Sequence, residues 1–212
     1  MLPVAHTESS RIPADLLSNI AHELRQPLGT IQSIAYYLSL ILPRGDDRAQ
    51  EQVAKLQQLV EQSNWILTSG LQLAEDSPVS AAMIDLGELI TEVISARGPL
   101  NRPPLRLDLQ PSVAPVHLEY SRGRMLIENL LMLFSQIAED GVPMMLKLST
   151  SNDGNAVLEM DARTPGVVSE SNLGCGCDLS IESARRIVDA HGGTFEFTVD
   201  PGIGIRLRVM LP

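Results

Sequence analysis

A chain of 212 residues has room for one large or two small domains, and with 44% hydrophobic but only 3% aromatic residues its core must be packed from aliphatic side chains. The net charge of −10, offset by no long basic run, argues against nucleic acid or an anionic membrane surface as partner. Neither a secretion signal in Met1–Arg11 nor an apolar run of the roughly 18 residues a membrane span needs is present, so a cytoplasmic protein is expected.

The first periodic segment runs from about Pro13 to Leu42. Apolar residues recur at Leu17, Ile20, Leu24, Leu28, Ile31, Ala35, Leu38 and Leu42 in steps of three and four, which predicts an amphipathic helix. On the same wheel His22 points away from that stripe and shares its face with Ser18, Gln26, Gly29 and Ser33. This displays an imidazole to solvent on a rigid support. Pro27 interrupts the backbone hydrogen bonding one turn later and is expected to bend the helix. Pro43-Arg44-Gly45-Asp46 reads as a turn ending in a helix N-cap. A second helix is predicted over Asp47–Ala74, with apolar positions at Val53, Leu56, Val60, Leu67 and Leu71 and the small Ser63 in the same series. Two long helices on a short turn make an antiparallel hairpin, and pairing two hairpins into a four-helix bundle would bury the stripe, so a homodimer is expected.

Asp76-Ser77-Pro78 reads as a linker, with a second domain from about Met83. Its predicted elements are a strand-like Ile84–Leu86, a helix over Leu86–Ala96, strands at Leu105–Leu109 and Val116–Glu119, and a helix over Arg124–Glu139. Strands at Met144–Thr150 and Ala156–Asp161 then flank the turn Asn152-Asp153-Gly154-Asn155. A helix over Leu179–His191 closes on Gly192-Gly193, and Thr194–Val199 and Ile205–Met210 form a last hairpin. Helices and a mixed sheet in this order predict a two-layer α/β sandwich. Cys175 and Cys177, one residue apart, suit neither an intrachain disulfide nor a zinc site and read as reduced thiols in a loop. His6, His117 and His191 have no evident partner in sequence.

The string His22-Glu23-Leu24-Arg25-Gln26-Pro27-Leu28 resembles the H-box of bacterial two-component sensor histidine kinases, whose His accepts the phosphoryl group on the first helix of a dimeric hairpin. The resemblance covers nearly the whole chain. It implies a dimerisation and phosphotransfer hairpin at 11–76 and an ATPase-like domain at 83–212, of the fold shared with gyrase and heat-shock chaperones. Gly174-Cys175-Gly176-Cys177-Asp178-Leu179-Ser180-Ile181 looks like the family's G2 box. By the same resemblance Asn129 is the first Asn of the N-box and Asp161 the acid of the G1 box that contacts adenine. With Gly174 and Gly176 these make a vestigial nucleotide pocket.

The departures weigh more. Leu133 stands where the family's magnesium-binding Asn belongs, and a leucine offers no oxygen. Arg163 replaces the first G1 glycine. Asp178 replaces the third G2 glycine and sets a carboxylate where phosphates approach the backbone. Asp161 and Gly174 are only 13 residues apart, too close for the family's ATP lid.

What the resemblance then implies is phosphoryl transfer through His22 to or from response-regulator receiver domains. There would be no intrinsic cofactor and no metal of its own, the receiver supplying Mg²⁺. Glu23 is expected to orient the ring or accept its proton, and Gln26 stands where many members position a hydrolytic water. An ATP-dependent kinase with a divergent pocket and a non-catalytic pseudokinase scaffold are the competing expectations.

Overall fold

The computed structural model describes residues 14–43, 45–74, 80–96, 104–166, 173, 176–200 and 203–212. The chain divides into two compact units between residues 75 and 76.

The first unit is a helical hairpin of α1 (Ala14–Ile41) and α2 (Asp47–Ala74). α1 continues through Pro27. The turn is set by Asp46, whose Oδ1 accepts the Ala49 N–H at 3.1 Å and caps α2. The packed seam differs from the expected stripe. On α1 it centres on Ala21 and Ala35, on α2 on Val53, Val60, Trp65 and Ser69, all buried. Ile20, Leu24 and Ile31 stay 38–46% exposed. Small alanines allow the close approach of two helices, and a single partner helix covers only part of a broad apolar face.

The second unit is a two-layer sandwich. Its elements are β1 (Ala82–Ile84), α3 (Leu86–Ala96), β2 (Leu105–Leu109), β3 (Val116–Leu118), α4 (Tyr120–Ile137), β4 (Met144–Thr150), β5 (Ala156–Ala162), α5 (Cys177–Ala190), β6 (Thr194–Asp200) and β7 (Gly204–Leu211). Five strands form a mixed sheet in the order β2-β4-β5-β7-β6, with β2 parallel to β4 and the rest antiparallel. β1 and β3 form a separate antiparallel pair. One core joins α3, α4 and α5 to the inner sheet face, through residues such as Ile90, Phe134, Val188, Leu146, Leu158, Met160 and Leu207.

Local chemistry moves three boundaries. Asp85 belongs to no strand: its Oδ1 accepts the Glu88 N–H at 3.0 Å and caps α3, with Glu88 three residues on as in a capping box. Glu119 is the N-cap of α4, which begins at Tyr120 rather than Arg124. Cys177 sits in the first turn of α5, not in a loop, buried with its thiol on the Leu173 carbonyl at 3.1 Å. Gly192 has φ +71 where α5 ends, the left-handed conformation that favours glycine. The linker Asp76-Ser77-Pro78 lies outside the described residues, as do Cys175, Pro201 and Gly202.

The outer sheet face is polar and ordered by register. Glu196, Arg208, Glu159, Lys147 and Asp108 stand opposite one another across β6, β7, β5, β4 and β2, alternating in sign over all five strands. In the next row Arg206 lies between Thr198 and Asp161.

Candidate functional site

On α1, His22, Glu23 and Gln26 are all exposed, with Ser18 and Ser33 exposed on the same face. Arg25 crosses to the second helix, its Nη2 donating to Thr68 Oγ1 at 3.0 Å. The segment thus presents an uncovered imidazole beside an acid, an amide and a tethered guanidinium.

The residues tied by resemblance to a nucleotide pocket have other engagements. Asn129 is 1% exposed and donates from Nδ2 to Ser183 Oγ at 3.0 Å, linking α4 to α5. Leu133, one turn on, is fully buried in the core. Gly176 is the N-cap of α5 at φ 85, and its carbonyl accepts the Ser180 hydroxyl at 2.7 Å. Asp178 is exposed in the first turn of that helix. Gly174 lies outside the described residues.

Register decides the sheet face of Asp161. Along β5 the core holds Ala156, Leu158, Met160 and Ala162, so the intervening Val157, Glu159 and Asp161 point to the other side of the sheet. The Asp161 carboxylate accepts from Arg206 Nε at 2.8 Å, half exposed. That pairing, through the guanidinium's bond and charge, holds the Arg206 pKa above the usual arginine value. Asp161 and Asn129 are therefore not brought together. The last β5 side chain on the helix side is Ala162, which carries no polar group.

Sequence reasoning missed a second polar cluster. His191 is the C-cap of α5 and nearly buried. The Glu119 N–H donates to its Nε2 at 3.0 Å, which places the ring proton on Nδ1, 2.7 Å from the Ile187 carbonyl. Glu119 also accepts from the Ser121 hydroxyl at 2.6 Å and the Ser80 N–H at 3.2 Å, with Arg122 paired at 3.3 Å. The Ser121 bond leads the effects that lower its carboxyl pKa, with help from Ser80 and Arg122 against the cost of burial. The signal was the run His191-Gly192-Gly193, but the partner of His191, 72 residues upstream, could not be read from spacing.

No family model matches the chain. Among curated proteins it is 24% identical over 211 residues to the sensor histidine kinase ZraS of Klebsiella oxytoca, covering 93% of this chain and 45% of that protein. It is 22% identical over 224 residues to the alginate biosynthesis sensor protein KinB of Pseudomonas aeruginosa, covering 95% and 37%. The chain is a homologue of sensor histidine kinases. It spans less than half the length of these relatives. Among solved structures, full-length ShkA in complex with AMPPNP superposes with a TM-score of 0.62 at 19% identity, over 95% of this chain and 46% of that one. The Acinetobacter baumannii histidine kinase AdeS superposes at 0.55 and 17%, over 90% and 96%. The fold is that of the sensor histidine kinase core, a helical hairpin followed by an ATPase-type sandwich. No helix among the described residues of this homologue is long and apolar enough to cross a membrane.

Proposed function

We propose that the chain is a two-component phosphotransfer protein in which His22 takes a phosphoryl group from, or gives it to, an aspartate of a response-regulator receiver, without using ATP. The observation that carries this reading is the contrast between two sets of residues. The H-box helix leaves His22 uncovered, while three of the pocket positions carry other roles: Leu133 in the core, Asn129 on Ser183, Asp161 on Arg206. Mg²⁺ needs oxygen ligands and ATP needs open backbone donors, and these residues do not fit that group.

In the transfer, the lone pair of a neutral His22 ring nitrogen forms a bond to phosphorus. The bond from phosphorus to the aspartyl oxygen breaks, and the carboxylate leaves with the electron pair. Glu23 is placed next in the chain to accept the proton on the other ring nitrogen, and Gln26 lines the same face. The receiver, not this chain, supplies Mg²⁺. A second copy of the hairpin covers the exposed α1 positions Ile20, Leu24, Ile31, Ile34 and Ile41, whose spacings of three, four and seven form a bundle seam.

The experiment is transfer from a receiver phosphorylated by acetyl phosphate, with calorimetry against Mg-ATP in parallel. Label on wild type but not on His22→Ala, with no heat from Mg-ATP, is the expected result. A second reading, ATP-dependent autophosphorylation with a divergent pocket, is favoured by the fold shared with ShkA, whose structure holds AMPPNP. Micromolar Mg-ATP binding with label on His22 would establish it instead. If neither receiver nor nucleotide labels His22, the chain is a scaffold.

A further inference from the structure

Arg122, Arg124, Arg186, Arg206 and Arg208 are each paired with a carboxylate. Arg25 is exposed, and its anchor is neutral: Nη2 donates to Thr68 Oγ1 at 3.0 Å. The Thr68 hydroxyl in turn donates to the Asn64 carbonyl at 2.9 Å, so its hydrogen is engaged and its lone pairs are left for the guanidinium. Among the described residues no carboxylate pairs with Arg25.

Its place on the helix adds the second half of the argument. At about 100° per residue, Ala21, Leu28 and Ala35 form the side of α1 turned to α2, and Arg25 falls between that side and His22. The tie to Thr68 fixes the guanidinium beside α2, with His22 three residues and about one turn away along α1. Planar guanidinium donors match phosphoryl oxygens, and a side chain already restrained by one bond loses less entropy in making others.

We propose that Arg25 is a phosphate-binding residue of the His22 site, held ready by Thr68. It donates charge-assisted hydrogen bonds to the phosphoryl group as the N–P bond forms or breaks. The proposal rests on the reading of His22 as phosphoacceptor.

The test uses the full chain and phosphoramidate, which transfers its phosphoryl group to an imidazole nitrogen with release of ammonia, followed by phosphorus NMR. Arg25→Ala is expected to slow labelling about tenfold, Arg25→Lys to stay within about threefold of wild type, and Thr68→Val to fall between them. The wild-type rate is expected to drop with added KCl while that of Arg25→Ala stays flat, a readout a purely structural role would not move. If Arg25→Ala loses helicity by circular dichroism, the order of Arg25→Lys and Thr68→Val decides. Equal rates and equal salt dependence across the variants would overturn the proposal and leave His22 as acceptor. Absent label on wild type, or label that persists in His22→Ala, would overturn the functional reading and the proposal with it.

Discussion

Asn129 and Ser183 meet at 3.0 Å in the interior between α4 and α5, each 1% exposed. The amide that resemblance assigns to a nucleotide pocket thus fastens one helix to another. Ser183→Ala is expected to lower stability by about 1–2 kcal/mol, seen as a fall in the urea midpoint at unchanged slope. An unchanged midpoint would mean that the bond contributes nothing net.

Gly193 follows the end of α5, where an added Cβ would run into the Met210 carbonyl of β7 as well as Val188 and Leu211. The backbone carbonyl cannot swing aside as a side chain can. Gly193→Ala should therefore cost about 1–3 kcal/mol by overpacking. Gly141→Ala, with no neighbour within 4 Å of its added Cβ, tests a positive φ alone, and the smaller loss is expected there.

Glu119 gives the second unit an acid-sensitive tie. Its carboxyl is held below the usual range, first by the Ser121 hydroxyl and then by the Ser80 N–H and Arg122. A carboxyl depressed on folding stabilises above its unfolded pKa of about 4.3, and that stabilisation is lost as pH falls through the lower folded value. Glu119→Gln is expected to flatten the acid limb of a stability-versus-pH curve and to leave the shape above about pH 5 unchanged. The same acid limb in both proteins would show that other carboxylates govern it.

Ile34 is 53% exposed on α1, beside the other uncovered apolar positions of that helix. Ile34→Glu is expected to shift the chain toward monomer, read as a drop in sedimenting mass at micromolar concentration. An unchanged sedimenting mass would move the proposed dimer seam away from this face.

Much of the fold was legible because period and punctuation agree. Leu86–Ala96 and Met144–Thr150 came out with the bounds the sequence indicates, and Asp47–Ala74 follows its cap at Asp46. What was hidden depended on pairing. Asp161 could not be assigned a sheet face from its motif, because a shift of one residue moves a strand's side chain to the opposite side. Trp65 and Ser69 were missed because the α2 face is defined by what α1 presents, chiefly Ala21 and Ala35. The β1–β3 pair is set by partners more than 30 residues apart, which no local signal joins. The His22 face, by contrast, needed only the helix wheel.

The alternating rows on the outer sheet face have an electrostatic corollary. Asp108, Glu159, Asp161, Glu196 and Asp200 face Arg106, Lys147, Arg206 and Arg208, five charges against four on that side of the sheet. The layer is therefore close to neutral, and nearly all of the net −10 resides elsewhere in the chain. At distances beyond the Debye length of about 8 Å its alternating field cancels. An approaching basic protein would feel little pull toward this face, which gives the second unit a nearly neutral side.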